Sequence, residues 1–230
     1  MPFQGDWHQY VSTTSVCTWD YRSGAPFVAI PHGSKAMYFE GDTATLTGIA
    51  LMRRETSQCT GDGGNYLEDG ILRSFVHLDI LCGNGAAFQL SQRRLFVDPV
   101  TPTYDSDEGY GLRLTKQGGV GVDSYRLDVY EFTGGVASIL ATPVNPLTYG
   151  ANEWIHIGFE VVTSGANDLI TVKTDPTLTY DLAWASWANV YGPYTSTAHK
   201  SPGMVGIGIG FGPAANQWCG VDAIKYDYLP

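Results

Sequence analysis

The 230-residue sequence is poor in positive charge: 13 Lys and Arg stand against 23 Asp and Glu, for a formal net charge of −10. Nucleic acid carries about one negative charge per 1.7 Å of duplex and is held by cationic surfaces. The densest basic spots are the pairs Arg53-Arg54 and Arg93-Arg94, and neighbours in a strand point to opposite faces. The composition therefore argues against nucleic acid as a partner and against an anionic membrane surface. No apolar run approaches the ~20 residues of a membrane-spanning helix, so membrane insertion is not expected. Met1–Tyr10 has neither a basic segment nor an apolar core, which leaves no signal-peptide pattern at that end.

Cysteine is scarce. Cys17, Cys59, Cys82 and Cys219 are the four present, with no C-x-x-C and no zinc-ligand spacing. Buried thiols of a cytosol-made protein are the expectation. A Cys17–Cys219 bridge is the alternative, because first and last strands often pair in sandwiches.

Catalytic signatures are missing too. There is no G-x-S-x-G elbow. There is no H-E-x-x-H, and the five histidines are scattered. The glycines of 206–212 alternate but do not form G-x-G-x-x-G ahead of a helix, so no dinucleotide site is expected.

Glycine (28 residues), proline (12) and aromatics (13%) are plentiful, which suits many short strands joined by tight turns. Period-two alternation recurs along the chain. Tyr125, Leu127 and Val129 share one face of a run, and Ile155, Ile157, Phe159 and Val161 share one face of another, opposite His156 and Glu160. On that face His156 is expected to be a solvated or hydrogen-bonded structural residue. A run at 168–173 follows, and further strands are expected at 35–40, 43–54, 71–81, 86–90, 93–97, 109–115, 136–141 and 218–228. Glu40-Gly41-Asp42, Gly83-Asn84-Gly85, Gly118-Gly119 and Gly134-Gly135 punctuate them. No linker divides the chain, so residues 1–230 are expected to form one domain, with 1–34 as an N-terminal arm or first strands. The fold class is all-β, a two-sheet antiparallel β-sandwich, with helix below about 10% against a globular average near one third.

In Met204-Val205-Gly206-Ile207-Gly208-Ile209-Gly210-Phe211-Gly212 the large residues alternate with four glycines. Each glycine costs roughly 0.5–1 kcal/mol relative to Ala, so a tightly covered glycine face is expected. Gly208→Val should then destabilise.

The second half resembles the concanavalin A-like lectin/glucanase sandwich in its laminin-G-like branch. The likeness lies in Gly109–Leu114, Tyr125–Tyr130, Glu153–Ile157, Asp168–Val172, Gly203–Gly208 and Val221–Asp227, in that order. It is close over 109–230 and loose over 35–97. It implies a concanavalin A-like jelly roll and little about activity. Domains of this family occur in glycan hydrolases, lectins, adhesion modules and phage virion proteins. The family's glucanases carry E-x-D-x-x-E on a strand, where i, i+2 spacing places two carboxylates on one face. That motif is absent: Glu68 and Asp69 are adjacent, and Asp105 and Asp107 sit in a Pro- and Tyr-rich segment.

Two candidate sites remain. Asp62, Asn65, Glu68 and Asp69 gather oxygen donors in one loop. A calcium ion is the one cofactor they suggest, although the EF-hand spacing is missing and a solvated acidic turn is the plainer reading. Tyr180, Trp184, Trp187, Tyr191 and Tyr194 crowd into fifteen residues, with 184, 187 and 191 spaced as one face of a short helix. They read first as core, next as subunit interface and last as glycan platform. The expected function is a non-catalytic structural or adhesion module of a large assembly, such as a phage capsid decoration, collar or tail component. Other protein subunits, including copies of itself, would be its partners, and its location the virion. A lectin-like carbohydrate-binding module, with an extracellular location possible, is the alternative. A glycan hydrolase is third.

Overall fold

Alternating apolar residues become strands wherever one face can be buried. In the computed structural model the described residues are 7–10, 17–27, 29–41, 47–53, 69–95, 108–149, 153–198, 200 and 203–229. They form β1 (Trp7–Tyr10), β2 (Cys17–Arg22), β3 (Ala36–Gly41), β4 (Thr47–Arg53), β5 (Gly70–Leu78), β6 (Ala87–Leu95) and β7 (Glu108–Lys116). The order continues with β8 (Tyr125–Thr133), β9 (Val136–Leu147), β10 (Ile155–Ser164), β11 (Asn167–Asp175), β12 (Asn189–Ser196), β13 (Met204–Phe211) and β14 (Gln217–Tyr228). The helical content of these residues is one 3-10 turn at Trp184–Ser186.

The strands make two seven-stranded antiparallel sheets, ordered β1-β4-β13-β6-β7-β8-β9 and β12-β11-β10-β5-β14-β3-β2. This is the expected two-sheet jelly-roll sandwich. Phe39, Leu72, Leu90, Leu112, Ile157 and Phe211 are among the fully buried side chains between the sheets. The first 34 residues supply an edge strand to each sheet, β1 and β2. The runs expected at 86–90 and 93–97 are one strand, β6, with a register shift after Gln92 and positive φ at Arg93.

Three expectations need correction. The Cys17–Cys219 bridge is excluded, because Cys17 lies opposite Gly41 on β3, and β3 separates β2 from β14, where Cys219 lies opposite Phe39. Two strand spacings of about 4.8 Å each exceed the reach of a disulfide. Cys82 and Cys219 are buried thiols. The tight cover over the glycine face of β13 is absent at Gly208. A Cβ there meets only Gln89 Cβ at 3.8 Å, ordinary van der Waals contact, and nothing at this position demands glycine. The apolar face behaves as read, with Val205, Ile207, Ile209 and Phe211 buried. Third, His156 is not solvated but 1% exposed.

The second sheet departs from a simple sandwich because its outer face is also covered. Phe27, Tyr38, Phe75, Trp154 and Trp218 form a separate buried aromatic cluster there. Residues 23–27 and 29–35 lie across it as a strap. Phe27 sits against Trp154 and Trp218 at ring-centroid distances of 5.3 and 5.4 Å. Trp154 Nε1 donates to the Ala29 carbonyl at 2.6 Å. Gly220 makes this approach possible, since a Cβ there would lie 2.5 Å from Phe27 Cε1 and 2.8 Å from Trp154 Cη2. Gly220→Ala is therefore expected to destabilise by roughly 1–3 kcal/mol, and Gly208→Val to leave the denaturant midpoint unchanged or raised, since valine favours strands. Urea titration of the two variants measures both.

Candidate functional site

The five aromatic candidates do not form one platform. Trp184 and Trp187 fold back over the outer face of β10 and β11. Trp187 is 3% exposed and packs on His156 at 4.0 Å and on Trp184 at 5.0 Å between centroids. Cationic donors pin the backbone of this segment: Arg73 Nη1 donates to the Leu182 carbonyl at 2.8 Å and Lys173 Nζ to the Trp184 carbonyl at 2.7 Å. Burial pushes His156 down to about 3, with Arg73 adding to the effect. Its imidazole is uncharged near neutrality and has no path to a substrate proton, so acid–base work is not open to it. Tyr191 and Tyr194 lie on β12 rather than on a helix. They pair with Val172 and Ile170, and both pack half-buried against the main core. A register irregularity between Ile170 and Val172 places these two tyrosines, three residues apart, on the same side.

Tyr180 goes elsewhere, into an open cleft. Its ring stacks on His32 with centroids 3.7 Å apart and an interplanar angle of 19°. The cleft, about 350 Å³, is lined by Tyr21, His32–Lys35, Met37, Tyr180 and Val221–Ile224. It forms because β14 outruns β3. Their pairing ends at Val221–Met37, while β14 continues along β5 with an irregularity between Asp222 and Lys225 and positive φ at Ala223. The strap crosses at that point, and the His32 amide donates to Asp222 Oδ2 at 2.8 Å. Asp222 is 7% exposed. Burial raises its carboxyl to about 6, against the lowering effect of the His32 and Ala223 amides. At the rim Tyr21 is 50% exposed. A carboxylate acceptor on the floor, a stacked aromatic wall and an exposed second ring can together hold a polyhydroxylated ring by its hydroxyls and its C–H face. Sequence reading found Tyr180 but not its partners, which come from β2, the strap and β14 and share no local pattern.

Of the calcium candidates, Asp62, Asn65 and Glu68 lie outside the described residues, as do Asp105 and Asp107. Asp69 is already engaged. It accepts from Arg93 Nη2 at 2.5 Å and from the Thr163 amide and hydroxyl at 3.0 and 2.9 Å. Arg93 also pairs with Asp168 at 2.8 Å. Among the described residues no group of three His, Cys, Asp or Glu could hold a metal ion.

No family model matches the chain, and no curated protein matches it in sequence. Its fold does have relatives. The chain is similar to the exoplasmic/lumenal domain of VIP36, solved in a form bound to Ca2+ and Man3GlcNAc, with a TM-score of 0.51, 15% identity, and cover of 92% of this chain and 86% of that one. It is similar to a legume lectin-like domain from Entamoeba histolytica at a TM-score of 0.53, 11% identity, and cover of 92% and 90%. An engineered GH43 glycoside hydrolase matches at 0.50 and 10% identity, the match spanning 92% of this chain but 38% of that one. At these identities the likeness establishes a legume lectin-like, concanavalin A-like sandwich.

Burial assigns Trp187 to folding. Trp187→Ala should cost roughly 3–5 kcal/mol, the range for truncating a buried Trp. A denaturant titration of the purified variant measures the loss.

Proposed function

We propose that the chain is a lectin-like carbohydrate-binding module and that the cleft between the strap and β14 is its sugar site. The observation that carries this reading is the Asp222 carboxylate on the cleft floor beside the stacked His32–Tyr180 pair. Pyranose rings offer hydroxyl donors and an apolar C–H face. The floor supplies an acceptor for the first, and Tyr180 and Tyr21 supply rings for the second. A volume of about 350 Å³ lies at the lower end of the roughly 300–1,000 Å³ range of small-ligand pockets and suits one or two sugar residues. The fold is shared with domains whose solved forms include a glycan complex. The reading is non-catalytic, because among the described residues the cleft lining has one carboxylate, Asp222, where glycoside cleavage needs a pair.

A second reading, subunit contact within a larger assembly such as a virion, has one observation in its favour. Val136 and Ile139 on the edge strand β9 and Val190 on the edge strand β12 are 67%, 49% and 55% exposed. Pro143 and Pro146 remove donors from the far half of β9, so only its first half could pair with another strand.

Titration calorimetry with Man3GlcNAc, alongside a glycan array run with calcium and with chelator, tests the first reading. Tyr180→Ala should weaken binding by about tenfold, the upper end of the roughly 0.5–1.5 kcal/mol of a stacking contact, and leave the denaturant midpoint nearly unchanged. Trp187→Ala, compared at a temperature where it is folded, should bind as the unaltered chain does. A glycan bound equally well by Tyr180→Ala, or no bound glycan at all, would overturn the assignment.

A further inference from the structure

We propose that the cleft is gated by pH through Asp222: in neutral solution its carboxylate holds the His32 end of the strap and accepts ligand hydroxyls, and in mild acid its protonation weakens both. This regulation rests on the carbohydrate reading of the same cleft.

The geometry places one group in two roles. Asp222 Oδ2 takes the His32 amide hydrogen bond at 2.8 Å, and the side chain also lines the cleft. His32 in turn forms the aromatic wall through its 3.7 Å stack on Tyr180. The rest of the strap is held independently, by Phe27 in its aromatic cluster and by Trp154 on the Ala29 carbonyl. Loss of the charge-assisted bond at His32 therefore loosens the wall at one end without freeing the strap, since bonds to an ionised acceptor are about twice as strong as neutral ones.

Charged and titratable groups face Asp222 from each element packed against it. On β5, His77 is pushed down to about 4 by burial and stays uncharged. Arg73 pairs with Asp227 at 2.9 Å, and Lys225 of β14 pairs with the same carboxylate at 3.3 Å. The strap contributes His32 and Lys35, β2 contributes Tyr21, and the loop before the 3-10 turn contributes Tyr180 and Asp181. Burial raises Tyr180, keeping its hydroxyl protonated. Burial raises Asp222 to about 6. The sign follows directly. A bound hydroxyl donor favours the ionised form, so affinity is full well above 6 and falls as pH drops through it. Near pH 5 about one tenth of the carboxylate remains ionised, which predicts about tenfold weaker binding than near pH 7.5.

Two measurements on the full chain test this. In the ligand-free protein, the His32 amide resonance followed by NMR should titrate with a midpoint between about pH 5 and 7. That titration should disappear in Asp222→Asn and persist in His32→Gln, which keeps the backbone donor but lacks the imidazole. A His32 amide that does not titrate, or titrates in Asp222→Asn, overturns the gate. So does loss of the titration in His32→Gln. Calorimetry with Man3GlcNAc should show the tenfold loss between pH 7.5 and 5 in the unaltered chain and a flat profile in Asp222→Asn. A flat profile in the unaltered chain overturns the gate and leaves the sugar site standing. Absence of Man3GlcNAc binding at pH 7.5, with a silent glycan array, removes the sugar site, and the gate is then decided by the NMR titration of the strap.

Discussion

Strand β5 is buried along its whole length, on both faces, and the outer half of the protein is organised around that fact. Leu72, Val76 and Leu78 face the space between the sheets, while Phe75 and His77 face outward. A sheet that carries Phe75, Trp218 and Tyr38 on its outer side cannot leave them to water without exposing a large apolar patch. The strap and the segment around Trp184 and Trp187 are the cover. Their hydrogen bonds go largely to fixed donors of the sheet: Arg73 and Lys173 hold carbonyls of one segment, and Trp154 holds a carbonyl of the other. The cleft is the place where these two covers meet the end of β3 and do not close.

Two buried carboxylates show how differently the same side chain is used. Asp168 is fully buried, is paired with Arg93, and accepts from the Tyr110 hydroxyl and the Lys200 amide. Lys200 adds ion pairs to Glu108 at 2.8 Å and Glu131 at 3.3 Å. This network ties β6 and β7 of one sheet to β11 of the other, and each ion in it is compensated, which is the condition under which buried charge is tolerated. Asp222 has amide donors but no ion pair among the described residues, and burial raises its carboxyl where a cationic partner would lower it. The first arrangement belongs to a structural tie. The second sits against a cleft with backbone amides as its partners.

The strands were legible where large apolar residues alternate with polar or small ones. Residues 125–133, 155–164 and 167–175 carry a clean alternation, and the observed elements match the expected ones within a few residues. β5 lacks that alternation because both of its faces are buried. β12 was misread because its pattern is broken. Tyr191 and Tyr194 share a side only through the irregularity opposite Ile170–Val172, and the spacing of 184, 187 and 191 then imitates a helix. The alternating glycines show the limit of reasoning from composition alone: Gly208 stands open, Gly212 does meet a close approach, with a Cβ there 2.5 Å from the Asn84 carbonyl oxygen, and an equally close approach occurs at Gly220, an isolated glycine with no repeating pattern around it. Of the cleft, one residue in the aromatic cluster was visible. The others are brought together by the strap crossing β14, a long-range event with no local signal.

The energetics of Asp222 separate stability from binding. Its carboxyl is raised from 3.8 to about 6, so the folded state favours the protonated form. The stability associated with that form is fully present below about pH 4 and is lost as pH rises through 6. The loss is on the order of 3 kcal/mol at neutral pH. Carbohydrate recognition asks for the opposite state, an ionised acceptor. A hydrophobic residue on this floor would pack under the strap without that loss, as Trp218 of the same strand does beneath Phe27. A buried acid held above its ordinary range in a cleft, beside the stacked His32–Tyr180 pair, is the kind of perturbed carboxyl that marks a candidate functional site rather than a folding contact.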